Sequence, residues 1–427
     1  MEIIYWAIHL LIFGILIWRF RSRCASLVSA RVHDLSLLLK TITTIGLGLI
    51  YLKFYDGGDT WNYHRQAAMV VNHVGSDISL WLDFLFRSGL PIEMQLELDL
   101  ASQPRAMLFM KLIAVMHLLT GSSYWLTSFY LSLLAYYSAW FLLASLIKVN
   151  ANLKFGSIIA LLFVPTVVFW SSGIIKESVT QSMIYVVVAV WLQWSVAMKF
   201  NLIRSLVALA CIVLLFFLKY YYAVTLGVIL LAAGFTKLVV NPNLSIRTTV
   251  VFFLTLCLFF FGGTSLHPNL HLDSFWSVIV ENYYLFESKS SPHNIIHYHN
   301  LNASFGSFFL NMPLALFSGL FRPIIFEGGN ALKALAGIEN VILVIFGIGS
   351  VNQLIRKRWK IGDPMLIWSG VVFILVMATF LAFAAPNLGT LSRYRIGFLP
   401  VLWILIFARN PIMSRIEKRV FLWLNII

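Results

Sequence analysis

The sequence predicts an all-α membrane protein, a polytopic bundle of about eleven transmembrane helices in one integral domain over residues 1–427. Three observations predict this fold class: the high share of hydrophobic residues, the low share of charged residues, and the way that apolar residues are grouped along the chain. Hydrophobic residues make up 60% of the chain and charged residues 11%, whereas soluble domains have roughly 45–50% and about 25%. Apolar runs recur along the chain, and polar residues gather between them. This composition excludes a water-soluble enzyme, a disordered chain and a nucleic-acid-binding domain.

The apolar runs are long enough to cross a bilayer, which takes about 20 mostly apolar residues, or slightly fewer in a buried helix. The first run lacks a small-residue cleavage site, so we interpret it as a helix and not as a removed signal peptide. The predicted spans lie near 3–18, 36–52, 123–147, 155–171, 179–197, 203–218, 223–236, 248–262, 335–352, 364–384 and 396–409.

Basic residues predict the orientation of the chain. Clusters follow the first, third, fifth, seventh, ninth and last runs, so alternation places all of them on one side of the membrane. Cytoplasmic loops carry an excess of Lys and Arg, which predicts an outer N-terminus and a cytoplasmic C-terminus. The same excess explains the net charge of +14. We expect an integral protein of the bacterial inner (cytoplasmic) membrane with its active site on the extracytoplasmic side.

Two long segments, 53–122 and 263–334, then form external loops rich in aromatic residues and Leu. Each contains a further apolar run, at 106–120 and at 307–325. Either run could be a short span, but a single extra crossing would turn the later basic clusters outward. We therefore expect interfacial helices with their apolar faces in the lipid boundary.

The first candidate for chemistry is the motif at 55–64, Tyr-Asp-Gly-Gly-Asp-Thr-Trp-Asn-Tyr-His, which begins where the second run ends. Its glycines let the backbone turn sharply. Asp59 or Asp56 could act as a general base, or the two could hold a divalent cation such as Mg²⁺ or Mn²⁺. The alternative is a solvated turn before a helix. Neighbouring side chains could line the acceptor site: Trp61, Tyr63 and His64.

Three further candidates are basic residues near the outer ends of runs. Lys176 could meet a phosphate as a point charge, beside Glu177, or simply snorkel and pair with that neighbour. Lys219 lies among tyrosines, as in an interfacial aromatic belt, although it could also contact a phosphate. Arg322 is a possible phosphate ligand, and Glu327 could line the acceptor site.

The last candidate is Ser-Arg-Tyr-Arg at 392–395, just before the final run. Arg393 and Arg395 are suited to phosphate, because a guanidinium binds it through two hydrogen bonds and stays charged near lipid. Interface anchors are the alternative, but arginines are less expected on the outer side. The sequence therefore favours a donor phosphate site here.

Three features together resemble the GT-C superfamily: an acidic motif after an early span, helices along the membrane in the first external loop, and a late Arg-Tyr-Arg leading to Pro400. These polytopic glycosyltransferases, such as protein mannosyltransferases and aminoarabinose transferases, use sugars linked to polyprenyl phosphate. The resemblance implies that Asp56 or Asp59 is the catalytic base or a metal ligand. It also implies that Arg393 and Arg395 bind the lipid phosphate of the donor.

The chain departs from that family in having Asp-Gly-Gly-Asp instead of an Asp-Glu or Glu-type pair, and two predicted spans before the acidic loop instead of one. This second feature, with Gly-Asp-Thr followed by Tyr63, is also similar to Wzy/EpsG-type polysaccharide polymerases. Those enzymes would depend on external arginines more than on a carboxylate base. A transporter or flippase of lipid-linked saccharides is the alternative from another class, and it would carry polar residues deep within several spans.

We therefore expect an inverting transfer at the outer membrane face. The partners are a lipid-linked sugar donor, a glycan, lipid or protein acceptor, and membrane lipids, with no nucleic acid. Cationic side chains would neutralise the phosphate leaving group, and Asp59 or Asp56 would deprotonate the acceptor.

Overall fold

The computed structural model describes residues 2–87, 103–198, 200–240, 246–327, 331–355, 364–408 and 410–424. Regular structure in these residues is helical, and an isolated bridge joins Ile295 to Asn387. The predicted basic cluster at 356–360 and part of the first long segment lie outside the described residues. The first nine helices are α1 (Glu2–Leu27), α2 (Ala30–Phe54), α3 (Gly58–Val74), α4 (Ile78–Arg87), α5 (Pro104–Thr120), α6 (Tyr124–Val149), α7 (Lys154–Leu162), α8 (Pro165–Trp170) and α9 (Lys176–Ala197).

The remaining helices lie in the second half of the chain, after α9. They are α10 (Leu202–Val239), α11 (Ile246–Thr264), α12 (Leu272–Lys289), α13 (Phe305–Phe321), α14 (Ala331–Ile355), α15 (Pro364–Ala384), α16 (Leu388–Tyr394), α17 (Leu399–Phe407) and α18 (Pro411–Leu424).

Seven of the described helices are long and apolar enough to cross a membrane, and the bent pair formed by 388–397 and 399–407 makes eight if it is one span. These helices fit an integral membrane protein, as the composition predicts. The number eleven is not confirmed. The seven candidates are Ala30–Phe54, Tyr124–Val149, Lys176–Ala197, Leu202–Val239, Ile246–Thr264, Ala331–Gln353 and Met365–Ala384.

Three of the predicted spans do not each correspond to one observed helix. The run at 155–171 is not one helix: it breaks between α7 and α8, where Val164 precedes Pro165 and is extended. Proline disfavours helical geometry in the residue before it and then starts a new helix well, which explains both the end of α7 and the start of α8. The predicted runs 203–218 and 223–236 form the single stretch α10, interrupted at Lys219.

The contacts of α10 show that its two halves run in opposite directions. Lys219, at its middle, contacts Glu177 at the start of α9. Near the start of α10, Arg204 donates to Gln193, and near its end Lys237 lies 5.5 Å from the centre of the Trp191 ring. Gln193 and Trp191 are both close to the end of α9. About 24 Å of helix separates Glu177 from Gln193, so both ends can reach the same end of α9 only if the chain turns back at Lys219.

Helix packing defines two ends of the bundle, and we call the end at which α2 finishes the upper end. Tyr5 of α1 donates to Leu119 O at the C-terminal turn of α5, and α6 begins beside Gly48 near the end of α2. Further along α6, Tyr136 donates to His33 O near the start of α2. Neighbouring helices are thus antiparallel, and their apolar faces form two large clusters of buried side chains.

The described parts of both long segments lie at the upper end. In the first, α3 packs on α5, and the two helices supply much of the main core. In the second, Asn387, which lies just after α15 and caps the start of α16, donates to Ser290 Oγ. Helix α13 packs closely against α15. The upper end therefore brings together the polar segments in which the sequence predicts the chemistry.

Candidate active site

A cavity of about 70 Å³ lies at the upper end, where five segments of the chain meet. It has room for a few water molecules or one group the size of a phosphate. We call it the charged cavity, because six of its side chains belong to Asp, Glu, Lys or Arg. It is lined by Asp59, Tyr63, Arg105, Ile175, Lys176, Glu177, Leu218, Lys219, Tyr221, Arg393 and Tyr394.

The Asp-Gly-Gly-Asp turn delivers the first of these side chains. Asp56, Gly57 and Gly58 all have positive φ, a conformation that glycine adopts without strain and that Asp tolerates better than most residues. A Cβ at Gly58 would lie 2.7 Å from the Tyr51 ring, so this turn also needs a small residue. It places Asp59 in the first turn of α3, where the helix dipole favours a negative charge.

Lys219 enters the cavity because the helix breaks at that residue, where φ is −148° and ψ is 73°. Its side chain is buried, and its ammonium lies 2.8 Å from Glu177 Oε1 and 4.1 Å from the centre of the Tyr394 ring. A buried ammonium needs a paired charge to offset the loss of hydration. Glu177, also buried at the start of α9, supplies that charge.

Arg393 joins the two carboxylates of the cavity. Its Nη1 donates to Asp59 Oδ2 at 2.6 Å, and its Nε lies 3.5 Å from Glu177 Oε1. Glu177 is almost fully buried, but the Asp59 side chain is 53% exposed. Asp59 is therefore the carboxylate that a molecule arriving from outside would meet.

Positive charge exceeds negative charge in this cavity. The two carboxylates face four cationic side chains, which leaves a surplus of two positive charges. Lys176 and Arg105 contact aromatic rings, of Tyr63 at 5.4 Å and Tyr220 at 4.6 Å, and neither forms an ion pair within the described residues. Burial raises the pKa of Tyr63, so this phenol stays neutral and leaves the surplus unchanged. Such a site favours an anion.

Several residues predicted for the site lie elsewhere. Arg395 is buried two residues from Arg393, and it donates to Asn340 Oδ1 and to Arg322 O instead of lining the cavity. Arg322 itself pairs with Glu327. The predicted phosphate roles of Arg395 and Arg322, and the predicted acceptor-lining role of Glu327, therefore do not fit this geometry.

The aromatic residues after the turn divide between the cavity and the core. Tyr63 lines the cavity. Trp61 instead stacks on Tyr124 at 3.8 Å and donates to Gly48 O, while His64 lies 3.3 Å from His117. Neither Trp61 nor His64 lines the cavity, so the acceptor role predicted for them is not supported. Both fix α3 against its neighbours.

A divalent cation does not fit the carboxylates as arranged. Asp56, on the turn, is exposed and does not line the cavity. The other two acids, Asp59 and Glu177, are both within reach of Arg393. Among the residues that the structure describes, no group of three or more His, Cys, Asp or Glu side chains is placed to hold a metal ion.

Sequence reasoning missed Arg105 and Tyr221 as lining residues and Lys40 as a buried charge. Arg105 precedes an apolar run and has no motif around it, so only the packing of α5 reveals its position. Tyr221 and Tyr394 lay within segments already singled out for their basic residues. Lys40 interrupts the second apolar run, and that interruption was a readable signal of a functional or paired charge.

The fold and the cavity together define a class: an α-helical protein with several apolar helices that fit a membrane and a cationic cavity at one end of the bundle. No protein-family model, curated protein or solved structure matches this chain.

Proposed function

We propose that this protein is a membrane glycosyltransferase that moves a sugar from a polyprenyl-phosphate-linked donor to an acceptor at the outer face. One observation carries the proposal: a surplus of two positive charges surrounds a phosphate-sized cavity beside one accessible carboxylate, Asp59. A leaving phosphate needs cations, and an acceptor hydroxyl needs a base. A lipid-linked donor also explains why the site lies among apolar helices.

The proposed topology has eleven passes, with the N-terminus outside and the C-terminus in the cytoplasm. The three passes beyond the eight long candidates are α1, the broken pair α7–α8, and the second half of α10. Basic residues at the lower end support it, in accordance with the positive-inside rule. The described ones include Arg19, Arg21, Arg23, Arg31, Lys148, Lys154, Lys237, Arg247, Arg415, Lys418 and Arg419.

In the proposed reaction, the acceptor hydroxyl attacks the anomeric carbon and inverts it. The bond from that carbon to the phosphate oxygen breaks, and the oxygen leaves with the electron pair. Arg393, Lys219, Lys176 and Arg105 surround the charge that develops on the phosphate. Asp59 accepts the proton of the acceptor hydroxyl. Asp59 Oδ2 already accepts a hydrogen bond from Arg393, so Oδ1 would accept the proton of the acceptor hydroxyl. A bound donor phosphate would also draw Arg393 away from Asp59 Oδ2.

Transfer from defined donors tests this proposal. Purified protein is incubated with a panel of polyprenyl-phosphate and polyprenyl-diphosphate sugars and candidate acceptors. We expect Asp59→Asn to reduce transfer about 10²–10⁴-fold, the usual contribution of a general base. Asp56→Asn is the matched control, since Asp56 belongs to the same turn but lies outside the cavity. Equal activity of Asp59→Asn and wild type would remove Asp59 from the mechanism.

The same preparation tests the phosphate site. Arg393→Ala should weaken donor binding, because it removes a guanidinium that lines the cavity. Arg65→Ala, an exposed arginine of α3 outside the cavity, is the control. Unchanged donor affinity in Arg393→Ala would contradict the assignment.

A Wzy/EpsG-type polymerase is the second candidate, and the pairing of both acids favours it. Asp59 and Glu177 each contact Arg393, so this site depends on cations more than on a free base. Two surplus positive charges also match the two negative charges of a diphosphate diester. A preference for diphosphate donors, with activity retained in Asp59→Asn, would select this candidate. A transporter would instead be expected to hold its substrate near the middle of the membrane.

A further inference from the structure

Lys40 is a buried lysine in the interior of α2, and it does not line the charged cavity. Its ammonium donates to Val168 O at 3.2 Å, to Ser171 O at 2.7 Å and to Ser171 Oγ at 2.8 Å. No carboxylate lies within ion-pair distance among the described residues. Three neutral oxygens, on Val168 and Ser171 at the end of α8, therefore accept the hydrogen bonds of this side chain.

The segment that follows the hydrogen-bond partners of Lys40 in the chain leads directly to the charged cavity. After Ser171, the chain passes through Gly173, which has a positive φ of 70°, to Ile175, where α9 begins with Lys176 and Glu177. Neither α8 nor α9 continues through these residues, so only a few turn-type backbone hydrogen bonds hold the path between them, such as Ser172 N to Phe169 O and Ile175 N to Gly173 O. Side chains from α2 and α6 add further contacts.

We call residues 171–175 the 171–175 connection. Several hydrogen bonds hold it to the neighbouring helices. Thr43 Oγ1 lies 3.1 Å from Ser172 Oγ, and the Gly173 amide donates to Ser132 Oγ at 2.9 Å. Ser178, in the first turn of α9, donates to Gly173 O and Ile175 O. Lys40 donates to Ser171, the first residue of the connection. Ser178, next to Glu177, donates to the carbonyl of Ile175, the last residue of the connection.

We propose that Lys40 is a positioning residue: by holding the end of α8 it sets the path of the 171–175 connection, and so places Lys176 and Glu177 in the cavity. Burying a lysine among helices is costly, and residues that bear this cost usually serve function. Here the amine of Lys40 donates to two carbonyl oxygens at the end of α8, which an apolar side chain cannot do.

Amide hydrogen exchange tests the positional effect without any assumption about activity. Lys40→Met keeps the length of the side chain and removes its charge and donors. We expect exchange of the amides from Ser171 to Glu177 to become about tenfold faster or more, with little change in α11. Lys53→Met, an exposed lysine on the same helix, is the matched control. Ser171→Ala removes one of the three acceptors and should give a smaller change in the same amides.

Binding of inorganic diphosphate tests the consequence for the cavity, and this second arm rests on the proposed function. Each variant is titrated by calorimetry well below its own unfolding temperature, so that a loss of stability alone does not change the result. We expect Lys40→Met to raise Kd about fivefold or more while Lys53→Met stays at the wild-type value.

The two arms separate the two ideas. Unchanged exchange in the 171–175 connection of Lys40→Met, or of Ser171→Ala should Lys40→Met not fold, overturns the positioning role. Faster exchange with an unaltered Kd also overturns it, because the connection would then not place the cavity residues. Absence of diphosphate binding in the wild type counts against the proposed function, and the exchange result then decides the positioning role by itself.

Discussion

At the scale of single residues, the site depends on charges that satisfy one another out of water. Glu177 accepts from Lys219 and lies near Arg393, and all three side chains are largely buried. Such groups are stable only together, since removal of one partner leaves an uncompensated charge. The charges that prepare the cavity for an anion are therefore also part of its structural support.

The first prediction concerns Glu177. Glu177→Gln keeps the shape of the side chain but removes the charge opposite Lys219, so we expect the free energy of unfolding to fall by about 3–5 kcal/mol. Titration of the detergent-solubilised protein with SDS measures it. The double variant Glu177→Gln, Lys219→Met should recover much of the loss, and strictly additive effects would contradict the coupling.

Residue chemistry alone singled out six of the side chains that line the cavity, namely Asp59, Tyr63, Lys176, Glu177, Lys219 and Arg393, yet it could not separate Arg393 from Arg395. In a helix, successive residues are rotated by 100°, so two residues apart they point to nearly opposite sides. Arg393 therefore faces Asp59, while Arg395 turns toward Asn340. From the sequence alone the two arginines are equivalent candidates, because the direction in which each side chain points depends on how α16 is oriented in the fold.

At the scale of elements, α3 and α5 meet at a pair of histidines, of which His117 is buried and His64 is half-buried. His64 Nδ1 lies 3.3 Å from His117 Nε2, and burial lowers the pKa of both imidazoles from 6.5 to about 4, with Arg65 adding to the effect on His64 and His64 to that on His117. The folded pair is neutral at pH 7, and these two helices carry Asp59 and Arg105.

We predict that acid weakens this packing. Between pH 6.5 and about 4 the unfolded chain binds protons that the folded histidines do not, so stability is complete above pH 6.5 and is lost as the pH falls toward 4. Each imidazole contributes at most about 1.4 kcal/mol per pH unit. Unfolding temperatures at about pH 7.5 and about pH 5 measure the loss. His117→Gln should reduce it, and His73→Gln, at an exposed position of α3, should not.

A second prediction at this scale concerns the contact of α13 with α15. A Cβ on Gly319 would lie 2.1 Å from Ala378 O, a backbone atom that cannot turn aside. We expect Gly319→Ala to force the helices apart and to cost roughly 1–3 kcal/mol of stability. Gly306→Ala on the same helix meets nothing within 4 Å and is the control. Equal unfolding temperatures for the two variants would contradict this packing.

The elements themselves were only partly predictable. Hydrophobicity reports where apolar residues lie but not where a helix bends, so the break between α7 and α8 was missed although Pro165 marks it. The reversal at Lys219 agrees with the two runs predicted on either side of that residue. A lysine and three tyrosines interrupt the apolar pattern there, and that interruption was visible in the sequence.

At the scale of the whole molecule, the chain separates its polar segments from its basic clusters. The described parts of both long segments gather at the upper end with the charged cavity, and α18, with Arg415, Lys418 and Arg419, follows the lower end of α17. Helices that follow one another through a membrane must alternate in direction, so their directions can be predicted by counting the apolar runs along the sequence. The three-dimensional meeting of distant residues cannot be predicted in this way, because it depends on side-chain packing between elements.

The proposed orientation predicts which residues are accessible from outside. In a background with Cys24, Cys211 and Cys257 replaced, we expect a membrane-impermeant maleimide to label Asp56→Cys in intact cells. Lys148→Cys, exposed at the lower end of α6, should react only after permeabilisation. The reverse labelling pattern would invert the proposed topology.

The ion pair between Arg393 and Asp59 spans 334 residues of sequence. During synthesis, Asp59, Glu177 and Lys219 all leave the ribosome long before Arg393 does. A nascent chain therefore holds an unfinished site, with Asp59 lacking its guanidinium, until nearly the whole polypeptide has been inserted. The charged cavity is therefore completed only at the end of biosynthesis. A chain that terminates before Arg393 would occupy the membrane without the residue that completes this cavity.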